Sequence, residues 1–220
     1  DLRTLIHTQA EWEAFKTLYS KDEATKNSIL VLKDENSWEV FKKIVESGYT
    51  KVTAVMANDI TLNDFTYRIN GFAGEFDGCG HTLTLKYYSN NIESAAPFRA
   101  VNGGYFHNLT VAGSITSTAK FMGGLIGLVN YDASAVTIEN CNIIATLTSK
   151  VNGDASSGGF IGIMESGTTV NFKNCSFHGK LQGNKSNNNA GFVGVAVSKT
   201  TINFAGCMFD PESLPTDMTH

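Results

Sequence analysis

Gly123-Gly124-Leu125-Ile126-Gly127, Gly158-Gly159-Phe160-Ile161-Gly162 and Ala190-Gly191-Phe192-Val193-Gly194 echo one another at offsets of 35 and 32 residues. A second echo follows each: Val136-Thr-Ile-Glu-Asn-Cys141, Val170-Asn-Phe-Lys-Asn-Cys175 and Ile202-Asn-Phe-Ala-Gly-Cys207, at offsets of 34 and 32. A weaker copy precedes them, with Ala96-Pro97-Phe98 in the first slot and Phe106-His107-Asn108-Leu109 in the second. Within the second echo apolar residues recur every two positions, and period two means strand. Val136 and Ile138 share one parity; after Asn140, the residues Cys141, Ile143, Ala145 and Leu147 share the other. The slip falls on an Asn or a Gly, residue types that tolerate left-handed backbone angles. It therefore reads as a bend that keeps one face inward.

Strands at this spacing could form hairpins, propeller blades or solenoid coils. Register favours coils. Stacking the repeats gives the columns Phe106/Ile138/Phe172/Phe204, Leu109/Cys141/Cys175/Cys207, Val111/Ile143/Phe177/Phe209 and Ile115/Leu147/Leu181, every one apolar or Cys. Neighbouring coils would lie ~4.8 Å apart. The glycines of the first echo permit a tight corner and close packing on the next coil. The expected fold is all-β: a right-handed parallel β-helix of about four to five coils with an N-terminal α-helical cap. The expected organisation is a helical cap region at 1–50, the β-helix at 51–210 and a C-terminal tail at 211–220.

Composition agrees and narrows the function. Gly is high at 21 residues, Pro low at 3, and hydrophobic residues make up 42% of the 220. That suits many short strands joined by tight turns. A net charge of −4 without a Lys/Arg run argues against nucleic acid as the partner. No apolar run reaches the ~18 residues a transmembrane helix needs. The chain begins at Asp1 without a signal-like segment, as expected of a processed form or an excised piece.

At these echoes the chain resembles the GLUG repeat proteins, whose pattern is a Gly-apolar-Gly element followed by a strand ending in Asn-Cys or a similar pair. Upstream, Phe72-Ala-Gly-Glu-Phe-Asp-Gly-Cys-Gly-His-Thr-Leu83 is similar to the segment that often opens such solenoids, and Asn58-Asp59-Ile60 to the strand before it. The resemblance covers roughly residues 36–210. Cys79 stands where Asn is usual, and Pro97 and Arg99 where Leu and Gly are usual. The resemblance implies an architecture and a bacterial surface or secreted setting; it implies no chemistry.

Residues 1–50 read as helical. Thr8-Gln-Ala-Glu11 is a capping box with Trp12, Phe15 and Leu18 on one face behind it. Asn36-Ser-Trp-Glu39 is a second, with Phe41, Ile44 and Val45 behind it and Gly48 as the stop. A short strand over Ser28 to Leu32 separates them. The Trp-x-x-Phe pattern at Trp12/Phe15 and Trp38/Phe41 reads as core packing rather than an aromatic ligand box, because an amphipathic helix over the first coil would cover its open end. At the other end Pro211 and Pro215 stop strand pairing. No amphipathic pattern follows, so either the short tail covers the last coil or, as the favoured expectation, the parent chain is longer.

No catalytic, cofactor-binding or metal-ligating set emerges. Cys79, Cys141, Cys175 and Cys207 lack a CxxC pair and read as reduced, stacked core residues rather than a disulfide ladder. His7, His81, His107, His178 and His220 do not cluster, and Asp77 reads as a turn cap rather than a base. Asp132, Glu139, Asp154 and Glu165 fall at different coil positions rather than as a carboxylate pair. No GxSxG or GxGxxG motif is present. Tyr87, Tyr88, Tyr105 and Tyr131 could each stack on a sugar, but nothing in the sequence gathers them. Asn108 and Asn184 are sequons that matter only where secreted proteins are glycosylated. Loops at 116–122, 149–157 and 183–189 fall at one corner of successive coils and would form a polar ridge. The expected function is a non-catalytic extracellular, adhesin-like binding or scaffold module with a glycan or a host or extracellular protein as partner. The alternatives are a carbohydrate-active enzyme on a β-helix and an accessory region of a larger secreted peptidase.

Overall fold

The computed structural model describes residues 2–89, 93–151, 155–183 and 188–212. It is an all-β parallel solenoid of about four turns with 14% helix. Three parallel ladders run along it. The longest passes from Thr4–Ile6 (β1) through Ser28–Leu32 (β2) and Thr53–Met56 (β3) to Glu75–Asp77, Gly104–Ser117, Val136–Ile143, Thr169–Lys173 and Thr201–Ala205. A second stacks Ile69–Phe72, Phe98–Val101, Ile126–Val129, Ile161–Met164 and Val193–Ala196. The third stacks Ser94–Ala95, Phe121–Gly123, Ser156–Gly158 and Asn188–Ala190.

The columns read from the sequence are the columns of the core. Phe106 pairs Ile138, Ile138 pairs Phe172 and Phe172 pairs Phe204. Val111, Ile143, Phe177 and Phe209 follow, as do Ile115, Leu147 and Leu181. The parity slip sits where expected. Asn108, Asn140 and Asn174 have φ of 54°, 51° and 51°, and Gly206 has 66°. Their side chains form a ladder: Asn174 Nδ2 donates to Asn140 Oδ1 (3.4 Å), and Asn140 Nδ2 to Asn108 Oδ1 (3.3 Å). The glycine corner is required by close approach rather than by φ. A Cβ on Gly159 would lie 1.9 Å from the Gly191 carbonyl oxygen and 2.5 Å from the Phe177 ring. The strand after Pro97 keeps register with the next coil, Phe98 lying opposite Ile126, while its pairing with Ile69–Phe72 is irregular.

The N-terminal region departs from the expectation. Strands β1 and β2 extend the long ladder ahead of β3, so residues 1–50 continue the sheet as well as cap it. Helix α1 (Gln9–Lys16) has the expected box of Thr8 and Glu11. Leu18, expected on its buried face, is 74% exposed because the helix ends at Lys16. A further helix, α2 (Lys21–Lys26), was not foreseen. Helix α3 (Glu35–Glu46) is capped by Asp34 with Ser37 as its partner, not by Asn36 with Glu39. Asp34 Oδ1 accepts from the Ser37 N–H at 2.8 Å, and Glu39 instead faces Lys43 at 3.5 Å. Gly48 takes the expected left-handed angle after it.

Helix α3 covers one end of the core. Trp38 and Phe41 are fully buried, with ring centroids 5.4 to 6.3 Å from those of Phe72, Phe76 and Phe98. Trp38 Nε1 donates to the Tyr67 carbonyl at 2.9 Å. The Trp-x-x-Phe residues are core, as expected. At the other end Phe204, Met208 and Phe209 remain 54, 52 and 39% exposed. Of the expected C-terminal tail, residues 213–220, His220 among them, lie outside the described residues.

Candidate functional site

The stretches expected to form a ridge begin and end at the corner between the first and third ladders. Ser117 pairs Ser149 on one side of it; Phe121 pairs Ser156, and Ser156 pairs Asn188, on the other. Successive loops therefore leave and re-enter the stack at one corner. The offset is 32 residues entering and 35 leaving, so the loop after Ser149 carries three extra residues without disturbing either ladder. Residues 152–154 and 184–187, with Asp154 and the Asn184 sequon, lie outside the described residues.

The outward face of the long ladder gathers residues that the sequence left apart. Glu75 and Asp77 alternate with buried Phe76, and Tyr105 and His107 with buried Phe106, so parity sends all four outward. Tyr105 lies between Glu75 and Thr137, and His107 between Asp77 and Glu139. The Tyr105 and His107 rings stack at 4.1 Å and 10°. The Tyr105 hydroxyl donates to Glu139 Oε2 at 2.8 Å. His107 Nε2 meets Glu75 Oε1 at 3.1 Å, while Asn108 Nδ2 donates to His107 Nδ1 at 2.9 Å; one tautomer serves both. Asp77 Oδ1 accepts from the Cys79 N–H (2.8 Å) and Asn108 Nδ2 (3.1 Å), which makes Asp77 the turn cap expected of it. Hydrogen bonding to the Glu139 carboxylate, with lesser help from burial, pushes the Tyr105 phenol up to about 12. The signal for this set was parity extended one coil upstream, where the Phe76-to-Phe106 step is only 30 residues.

The other singled-out residues are dispersed. Tyr87 is buried, while Tyr88 and Tyr131 are each more than two-thirds exposed. His81 faces Asp59 at 3.3 Å, and His178 faces Asp210 at 3.6 Å. The Asn108 sequon is engaged by Asp77 and His107. Among the described residues, no three His, Cys, Asp or Glu side chains are arranged to hold a metal ion, and no helix is long and apolar enough to cross a membrane. All four cysteines are free thiols, with Cys141 and Cys175 buried in their column. The Cys141 Sγ–H donates to the Glu139 carbonyl at 3.3 Å, and the neighbouring Cys175 thiol, with burial, holds Cys141 above the ordinary thiol range.

Clefts of about 420 and 250 Å³ meet at Asn70 and Arg99 on the second ladder, and one of about 270 Å³ lies beside the start of α3. None is lined by Tyr105, His107 or their carboxylates. Comparison with family models, with curated proteins and with solved structures finds no match to this chain.

Proposed function

We propose that the chain is a non-catalytic binding or scaffold module of a bacterial surface protein, adhesin-like and extracellular, that presents its corner loops along a rigid stack. The observation that carries this reading is the loop after Ser149, which absorbs three additional residues while the ladders on both sides stay in register. A surface that varies freely on an unchanged core is what repeat proteins use for recognition. The GLUG-like echoes support the bacterial surface setting. The test is a glycan and host-matrix array, run with the wild-type chain and with a variant lacking residues 152–154. We expect a ligand whose capture is lost in the deletion while the melting temperature holds. Capture that survives the deletion unchanged removes the ridge from the reading.

A second reading, a carbohydrate-active enzyme, is favoured by one observation. Glu75 and Asp77 share one strand face, ~6.7 Å apart along the chain, with Tyr105 and His107 against them. Glycosidases act through a pair of carboxylates flanking the scissile bond. Reducing-end release from a polysaccharide panel decides between the readings: activity abolished by Glu75→Gln and Asp77→Asn would replace the binding module with an enzyme.

A further inference from the structure

The largest of the described clefts, about 560 Å³, lies between β1, α2 and the turn that follows α3. Among the described residues its wall carries Arg3, Lys21, Lys26 and Lys51 with one carboxylate, Asp22. The whole chain is net −4. Among the described lining residues positive charge thus exceeds negative, against the overall sign, and a cleft focuses such a field onto whatever enters it. Lys21, Lys26 and Lys51 form no ion pair among the described residues.

Two of these cations are held in place by the fold. The Arg3 guanidinium donates to Thr53 Oγ1 at 3.0 Å, which ties β1 to β3. The Lys21 ammonium sits 5.5 Å from the centroid of the Tyr49 ring. It also lies 2.9 Å from where a Cβ on Gly48 would stand, so the glycine that ends α3 leaves the space Lys21 occupies. Tyr49 is itself fixed edge-on to buried Trp12 at 4.8 Å and 90°. The cleft is therefore lined by cations, one of them seated over an aromatic ring with a rigid backing. Its volume falls within the ~300–1,000 Å³ of small-ligand sites.

We infer that this cleft binds a small ligand bearing oxyanions, such as an acidic saccharide with sulfate or carboxylate groups. Arg3, Lys21, Lys26 and Lys51 supply charge-assisted hydrogen bonds, with the Tyr49 ring holding Lys21 in place. This site is independent of the corner ridge.

The test is titration calorimetry on the full chain at low and at physiological salt. The probes are inorganic sulfate, inorganic phosphate, a sulfated disaccharide, digalacturonate and neutral cellobiose. The variants are Lys21→Gln/Lys51→Gln and, as a control on the outer sheet face, Lys173→Gln. We expect saturable, salt-sensitive binding of an anionic probe, no heat with cellobiose, and at least ~10-fold weaker binding in the double variant but not in the control. The saccharide arms against the inorganic arms show whether the ligand is a sugar acid or a simple oxyanion. Absence of saturable binding by every anion overturns the inference, as does equal affinity in the double variant when circular dichroism shows it folded.

Discussion

Replacing Asn140 separates the two things that hold each corner of the coil. Asn140 has φ 51° and is exposed, so its substitution leaves the core untouched. Asn140→Ala keeps a Cβ in the left-handed region, where an L-residue without a local hydrogen bond carries a penalty of about 1–2 kcal/mol. It also removes both rungs of the ladder, to Asn108 and from Asn174. These rungs are 3.3 and 3.4 Å long and lie at the weak end of the range, so they contribute about 0.5 kcal/mol each. The expected loss is about 2–3 kcal/mol. Asn140→Gly removes the same rungs but accepts the angle freely, and Gly206 already occupies the equivalent slot of the last coil at φ 66°. Its expected loss is about 1 kcal/mol or less. Urea unfolding followed by circular dichroism measures both, and an unchanged slope shows that the difference lies in stability. If the glycine variant is as destabilised as the alanine variant, the ladder holds the corner and the backbone argument fails. If the alanine variant matches the wild type, both arguments fail.

Three further outcomes follow from the same geometry. Gly159→Ala forces a Cβ to within 1.9 Å of the Gly191 carbonyl oxygen; it should cost about 3 kcal/mol or prevent folding, whereas Gly167→Ala, at φ 79° with nothing within 4 Å, should cost about 1 kcal/mol, both read by thermal melts. A thiol-reactive dye should label exposed Cys79 first and half-buried Cys207 next, leaving Cys141 and Cys175 until urea unfolds the chain; early labelling of all four would contradict the buried column. The Tyr105 phenol titrates at about 12 in the folded chain against ~10 when unfolded, so its contribution to stability is full below pH ~10 and is lost as pH rises towards 12. Phenolate absorbance, with Tyr105→Phe as the blank, should show Glu139→Gln bringing that titration down towards 10.

Inward positions of a coil stack were legible because each must be apolar in every repeat, and Asn140 and Asn174 were legible because few residues take their backbone angle. What escaped the sequence lacked such repetition. Strand β1 buries only Ile6, so it offers no alternation to read. Asn36-Ser-Trp-Glu39 matches a capping box in composition, but Asp34 stands two residues earlier with Ser37 at the right spacing, and local pattern does not rank two caps so close together. Leu18 continues the helical period of Trp12 and Phe15 past the point where the helix stops. The Tyr105–His107 set needed the pairing of Phe76 with Phe106, a step shorter than any echo and without the glycine element to mark it. The basic cleft draws on Arg3, Lys21, Lys26 and Lys51, which only the packing of β1 on β2 and β2 on β3 brings together.

The difference between a readable fold and an unreadable ligand has a physical origin in the coil itself. Each inward column is constrained from above and below: Phe172 touches Ile138 in one coil and Phe204 in the next, so chemistry that fails in one repeat fails in three. The corner between Ser149 and Ser156 is under no such constraint. It is longer by three residues than the corner before it, and the ladders on either side close as they do elsewhere. Outward residues such as Glu75, Tyr105 and Glu139 likewise answer only to their immediate neighbours. The sequence can therefore change at the corners and on the outer face with little cost to the stack. The positions that specify the solenoid carry no information about a ligand, and the proposed binding role falls on the positions the solenoid leaves unspecified.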